Sequence, residues 1–373
     1  MLSGWVEIDL SAIRHNFKAI KALVGPKVKI MPVVKADAYG HGMIPISETL
    51  IAEGADFLAV SYVEEGMELR KAGISVPIII LLGIFPKDAE TVSSYKLTPV
   101  VYSMELAKAL SDIAKENKKD IPIYAKIDTG MGRLGIFYKE AISFLSTLRK
   151  LPGLNLKGLT SHLAVAETNP IFTQKQISRF KKIIEEAKNL GINLKYNHIA
   201  NSAAALQYKE SQFQVIRPGL SIYGIYPTDA LHEKIALKQA MSFKTKIIYL
   251  KKLPPKTGIS YGHTFVTDKE TKVAVLPIGY DHGFPRSLSN KGEILIKGMR
   301  ARVLGTVCMH LTMVDITQIP DIDVEQEVVV LGGQGKEFIT AEEIAKKAGT
   351  ISYDIVCALG SRNPRKYLDG DRD

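Results

Sequence analysis

The sequence predicts a (β/α)8 barrel of the TIM type followed by a β-rich second domain, and three observations carry that reading. From residue 28 to about 220, short β-branched runs alternate with longer helical patterns. There are eight such runs, and after about residue 235 the pattern changes to short period-two segments separated by glycine turns. Alternating strands and helices imply right-handed crossovers and a parallel sheet. Eight strands over about 200 residues fit a closed barrel better than an open doubly wound sheet.

The expected barrel strands are 28–34, 57–61, 77–82, 98–102, 122–127, 155–161, 194–199 and 213–217. Helical periodicity lies between them at 44–53, 64–71, 104–116 and 173–190. Beyond residue 235, alternation at 243–247 is followed by short runs at 271–277, 293–297, 301–304 and 327–331, with one helix at 341–348. Turn signals at Gly262, Gly279, Gly292, Gly298 and Gly332-Gly333 divide these runs. The segment from Gly332 to Lys336 lacks the spacing of a phosphate loop and the hydroxyl residue after its lysine, so it reads as a hairpin turn. The division expected is 1–235 for the barrel and 236–373 for the second domain, with residues 1–10 able to pack on the latter.

Composition excludes several function classes. Of 373 residues, 46% are hydrophobic and 24% charged, as in an ordinary soluble enzyme. No segment approaches the ~20 uninterrupted apolar residues of a membrane helix. The segment Met1 to Asp9 carries acids early and lacks the layout of a secretory signal. Cys308 and Cys357 are the only cysteines, so no disulfide framework is indicated and a cytoplasmic location is expected. The formal charge of +10 comes from scattered lysines such as Lys115, Lys118, Lys181 and Lys182, a pattern of solvated helix faces. Neither nucleic acid nor membrane is expected as a partner, and no metal site is expected.

In such a barrel the chemistry sits on loops leaving the C-terminal strand ends. That rule selects Lys35 after the first strand, Lys126 and Asp128 at the fifth, His162 at the sixth, Asn201 and Ser202 at the seventh, and Arg217 at the eighth. Lys35 ends the apolar run Val33-Val34, and apolar walls depress an ammonium pKa. Such a lysine suits Schiff-base formation with an aldehyde, although a surface lysine in a βα loop is the plainer alternative. Asn201-Ser202 opens a short helix whose N–H groups can face an anion, and Gly219 lets backbone approach a ligand closely. A phosphate between those two segments is the favoured reading. The loop from Lys126 to Arg133 is glycine-rich and ends in an arginine suited to a carboxylate.

Together, the Lys35 segment, Lys126 to Arg133, Ser260-Tyr261-Gly262 and Pro277-Ile278-Gly279-Tyr280 resemble alanine racemase, a family of pyridoxal 5′-phosphate enzymes. The opening Trp5 to Leu10 with His15-Asn16 is similar as well, and the resemblance runs from residue 5 to about 366. It implies interconversion of L- and D-alanine by two bases acting on a pyridoxal phosphate aldimine, with Lys35 and Tyr261 as those bases. Tyr39, Ser202, Gly219 and Leu220 are implied to contact the phosphate, Arg217 the pyridine nitrogen, and His162 the flank of the cofactor. Arg133 and the backbone N–H of Met309 are implied to bind the substrate carboxylate, and Tyr280 to line the entrance. Lys126 matches a lysine often carbamylated in such enzymes. A head-to-tail homodimer with shared sites, acting on a small amino acid to supply D-alanine for cell-wall peptide, is implied too.

A tyrosine at its reference pKa of ~10 is a poor base near neutrality, so donors or cations must tune it. An arginine at the ring nitrogen can only donate, which favours an unprotonated ring and fast reprotonation over transamination. Three positions depart from the family pattern: Ser361 stands where a tyrosine is common, His310 where an aspartate is usual, and Thr306 where an arginine often lies in the access corridor. They bear on substrate range. A racemase for serine or a broader set of amino acids, and a non-catalytic pyridoxal-phosphate carrier, are the alternatives. A related decarboxylase is disfavoured because no triple-glycine loop occurs.

Overall fold

Parallel main-chain pairing closes the barrel into a ring. The computed structural model describes residues 4–370, so positions 1–3 and 371–373 of the two expected domains lie outside it. Lys29–Ile30 pairs with Val215–Ile216, and Val33 bridges to Ala59. Leu58–Val60, Ile78–Ile80, Thr98–Val101, Ile121–Asp128 and Leu154–Thr160 then follow side by side. Thr160 bridges to His198, and the Arg217 N–H donates to Ala200 O at 3.0 Å, which completes the circuit.

Two staves differ from expectation. The first is regular only at Lys29–Ile30, because Pro32 has no N–H to give the ladder. It nonetheless runs on, with Val33 N–H donating to Pro218 O at 2.9 Å. The expected strand 194–199 reduces to the single bridge at His198. There the Asn197 side chain replaces ladder groups: its Oδ1 accepts from Leu159 N–H at 2.9 Å and its Nδ2 donates to Leu194 O at 3.2 Å.

The helices fall close to their expected places at Met43–Ala52, Val63–Lys71, Met104–Glu116 and Pro170–Asn189. The last begins early because Asn169 caps it, accepting from Phe172 N–H at 3.0 Å, and Pro170 occupies its first turn. Helix Leu10–Val24 has no counterpart in the sequence reading; Asp9 caps it by accepting from Ser11 N–H at 2.8 Å. Among the described residues no helix is long and apolar enough to cross a membrane.

The second domain is built on a seven-stranded sheet. Its order runs Met299–Arg302, Glu293–Ile296, Glu327–Gln334, Met241–Lys246, Gly4–Asp9 and Arg365–Leu368, with Glu337–Ile339 pairing off Glu327–Gln334. The N-terminal strand therefore belongs to this sheet, antiparallel to Met241–Lys246 and parallel to Arg365–Leu368. A three-stranded sheet of Tyr249–Leu253, Thr271–Leu276 and Thr312–Asp315 lies beside it. Gln334 pairs with Glu337, so Gly335-Lys336 is a hairpin turn.

Helix Ser352–Arg362 carries the second domain onto the barrel. At its crossing of the Lys35 loop, a Cβ on Gly360 would lie 2.0 Å from Gly40 O. Backbone meets backbone there, so no flexible side chain can give way. Gly360→Ala is expected to lower unfolding free energy by about 1–3 kcal/mol through overpacking. Urea denaturation measures this, and an unchanged midpoint would show that the crossing relaxes freely.

Candidate active site

The turn after the first stave is backbone under strain. Ala36, Asp37, Ala38 and Tyr39 all hold φ between 51° and 54°, a left-handed run without glycine. Such a conformation costs ~1–2 kcal/mol per residue and needs outside support. Glu65 supplies part of it, its carboxylate accepting from Ala36 N–H and from Ser61 N–H, each at 2.6 Å. Asp37 accepts from Met43 N–H at 2.7 Å and pairs with Arg365. The run turns Lys35 and Tyr39 toward one cavity of about 240 Å³ at the barrel mouth.

Lys35, Lys126, Arg133 and Arg217 line that cavity, as do His162 and Asn201. Tyr39, Ser202, Gly219 and Leu220 form its far wall. Asp128, expected among them, does not line it. Its Oδ1 accepts from Gly130 and Met131 N–H at 2.8 Å and its Oδ2 from Gly132 N–H at 2.9 Å, so it shapes the loop that delivers Arg133.

Four cationic side chains share the space, and among the described residues the lining includes no carboxylate. Burial, then Arg133, pulls the Lys35 ammonium below its usual range. Burial lowers Lys126 to about 7, helped by Arg217, Arg133 and Lys35. Lys126 Nζ donates to Leu81 O at 2.9 Å. Arg217, lowered to about 10 by burial, stays charged near neutrality. It donates to Ser161 O at 2.8 Å, to Ile199 O at 3.3 Å and to Nδ1 of His198. Burial and then Arg217 push both His162 and His198 well below the ordinary imidazole range, so both rings are neutral.

The far wall is a cradle of donors. Ser202 Oγ accepts from Gly219 N–H at 2.9 Å and Ser221 N–H at 3.3 Å, which leaves its hydroxyl hydrogen to donate into the cavity. A Cβ on Gly219 would sit 2.5 Å from Tyr39 Oη, so only glycine permits that phenol to reach the wall. Helix Ser202–Gln207 starts at the same point, with Asn201 accepting from Ala204 N–H at 3.0 Å. An amine biased toward its neutral form, a cluster of unneutralised cations and a donor cradle fit an aldehyde-bearing ring with a phosphate.

Several residues escaped the sequence reading. Tyr353, from helix Ser352–Arg362, lines the cavity with its ring 5.7 Å from that of Tyr39, and burial raises it to about 12. No local motif marks it; only the helix crossing brings it in. Gln176 braces the floor of the loops, donating to Thr129 Oγ1 at 3.2 Å and His162 O at 3.0 Å.

Tyr261, Met309 and Tyr280 do not reach this cavity within the chain. They share one outward patch of the second domain, 74%, 50% and 37% exposed. Thr306 Oγ1 donates to Tyr261 O at 2.9 Å, and Tyr280 N–H donates to Cys308 O at 3.1 Å. Thr306 is thus a buried tie of the patch. His310 lies beside it, 5.6 Å ring to ring from His282, and Ser361 is exposed at the Gly360 crossing.

A poised amine and a cradle of donors sharing one cavity at a barrel mouth fit the class of barrel-type pyridoxal-phosphate enzymes. Residues 8–227 match the alanine racemase N-terminal domain and residues 240–367 the alanine racemase C-terminal domain. The chain is 44% identical over 364 residues to alanine racemase of Halothermothrix orenii, covering 97% of this chain and 96% of that one. Among solved structures, alanine racemase of Clostridium difficile 630 superposes with a TM-score of 0.93 at 36% identity, covering 99% of this chain and 97% of that one. Alanine racemase of Bartonella henselae, solved with covalently bound pyridoxal phosphate, gives 0.87 at 26% identity, with 98% and 99% covered. The chain belongs to the alanine racemase family.

Lys126 is expected to be charged below about pH 7 and neutral above it. In carbon-dioxide-free buffer, carbon NMR of lysine labelled at Cε will resolve one resonance titrating near neutrality, absent in Lys126→Met. A protein whose lysines all titrate above pH 9, near the reference of ~10.4, would contradict the electrostatics described.

Proposed function

We propose that the chain interconverts L-alanine and D-alanine, with Lys35 and Tyr261 as the two bases. The observation that carries this reading is the convergence of Lys35, the cation cluster and the Ser202–Gly219 cradle on one cavity. Pyridoxal phosphate supplies, when bound, an aldehyde for an amine and a ring that takes up electron density from Cα. Lys35 Nζ would hold the aldehyde, and Ser202, Tyr39 and the Gly219–Leu220 backbone would hold the phosphate. Arg217, able only to donate, would favour an unprotonated ring nitrogen. Arg133 and Met309 N–H orient the substrate carboxylate.

Inversion at Cα needs a proton removed from one face and a proton delivered to the other. The Lys35 amine, displaced from the aldehyde by the substrate's own amine, would serve one face and the Tyr261 phenol the opposite one. In one direction the amine accepts the proton while the phenol donates its own; the reverse direction exchanges the roles. His162, held neutral, flanks the cofactor without adding charge. Lys126, its ammonium lowered to about 7 by burial and its cationic neighbours, adds as the neutral amine to carbon dioxide: an N–C bond forms and one amine proton leaves to solvent. The resulting carboxylate offsets Arg133 and Arg217. Labelled bicarbonate is expected to give one carbamate carbon resonance that Lys126→Ala removes.

Because Tyr261 and Met309 lie on an outward patch, the complete site takes them from a second copy, in a head-to-tail homodimer. Exposed apolar side chains at both surfaces support this. Tyr62, Phe85 and Phe137 stand on segments leaving the barrel mouth and Ile171 at the start of helix Pro170–Asn189, while Tyr261, Met309 and Leu311 mark the second domain. The cytoplasm and supply of D-alanine to cell-wall peptide follow from the same reading.

Lys35→Ala is expected to lose the cofactor's visible absorbance, and Tyr261→Phe to keep it while turnover falls by about 10²–10⁴. Mixing the two inactive variants under conditions that reassort subunits restores about one quarter of wild-type activity, since each hybrid dimer carries one intact site. No recovery on mixing means both bases come from one chain. A cofactor-loaded wild type without D/L interconversion across an amino-acid panel would mark a carrier.

A further inference from the structure

The barrel encloses a second cavity at its other end. Along the fifth stave Pro122, Tyr124 and Lys126 follow one another inward, and along the third Pro77, Ile79 and Leu81 do the same. Lys126 and Leu81 face the cofactor pocket, whereas Pro122, Tyr124, Pro77 and Ile79 face a separate cavity of about 330 Å³ at the N-terminal strand ends. That volume lies within the range of small-molecule sites. The partition is a single layer: Tyr124 lies edge-on to His198 with ring centroids 4.8 Å apart, and His198 bonds to Arg217 on the other side.

Two hydroxyls in this cavity have no hydrogen-bond partner among the described residues. Tyr124 is 1% exposed and Thr98 4%, yet the side-chain oxygen of neither is sealed away from the cavity it lines. Burial raises the Tyr124 phenol, so it remains a donor at any ordinary pH. Both hydroxyls reach the cavity and are free to donate to an acceptor placed there. Lys157 adds an ammonium at the rim, while the other cation there, Lys29, is already paired with Asp56. The remaining wall is largely apolar: Phe57 packs edge-on against the Tyr196 ring at 5.4 Å, beside Pro77, Ile79 and Pro122.

We propose that this cavity is a second ligand site, taking a small aromatic carboxylate whose ring lies between Phe57, Tyr196 and the prolines. Its carboxylate accepts from Tyr124 Oη and Thr98 Oγ1 and faces the Lys157 ammonium. The site does not depend on the racemase reading, and the Tyr124–His198 layer keeps it apart from the cofactor.

The test is calorimetric titration of benzoate into cofactor-loaded enzyme held in saturating alanine, which occupies the site at the barrel mouth. Benzoate is expected to bind, with acetate and benzamide each weaker by about tenfold or more. Tyr124→Phe and Thr98→Val are each expected to weaken benzoate by about tenfold, since each removes one donor to its carboxylate. If Tyr124→Phe fails to fold, Thr98→Val carries the same comparison. No benzoate binding at millimolar concentration, competition by alanine, equal binding of benzamide, or full affinity in the folded variants would each overturn the proposal.

Discussion

Crowded positive charge is the constraint around which the barrel mouth is organised. Lys35, Lys126, Arg133 and Arg217 face one small volume, and no acid among its lining residues offsets them. Charges of one sign in a poorly hydrated space repel, and the chain relieves the repulsion by letting amines give up protons. Lys126 and Lys35 are both shifted that way, and the two imidazoles stay uncharged. The same crowding makes the mouth receptive to phosphate and carboxylate. Reactive amines and anion affinity are thus two results of one arrangement.

That arrangement needs rigid mounts, and the fold spends strain to provide them. The left-handed run Ala36 to Tyr39 holds only because Glu65, Arg365 and helix Ser352–Arg362 brace it from three directions. Arg133 is delivered by a loop wound around the Asp128 carboxylate. Arg217 is fixed by carbonyls of two neighbouring staves. In each case the group that touches the cavity is set by another that does not.

Much of this was legible in the chain. Alternating strand and helix patterns gave the barrel, the strand-end rule found Lys35, Lys126 and Arg217, and the glycine-rich loop after Lys126 pointed to Arg133. What failed did so for identifiable reasons. Asn197 replaces a ladder with side-chain bonds, so a β-like pattern at 194–199 yields one bridge. Asp128 carries the expected carboxylate but turns it on its own loop. Strand Tyr249–Leu253 hides behind Lys251 and Lys252, whose charges suit an edge and break the apolar alternation. Tyr353 and Gln176 enter through tertiary packing, for which periodicity has no signal.

The placement of strand Gly4–Asp9 has a consequence for how the molecule is made. It lies between Met241–Lys246 and Arg365–Leu368, so the earliest described residues to be synthesised pair with nearly the last. The central sheet of the second domain stays incomplete until Arg365–Leu368 has been made, however early the barrel closes. A cut between barrel and β domain would not release two independent pieces, because the second would lack an interior strand. The two halves are two lobes of one topology, and the chain cannot be divided at the boundary its composition suggests.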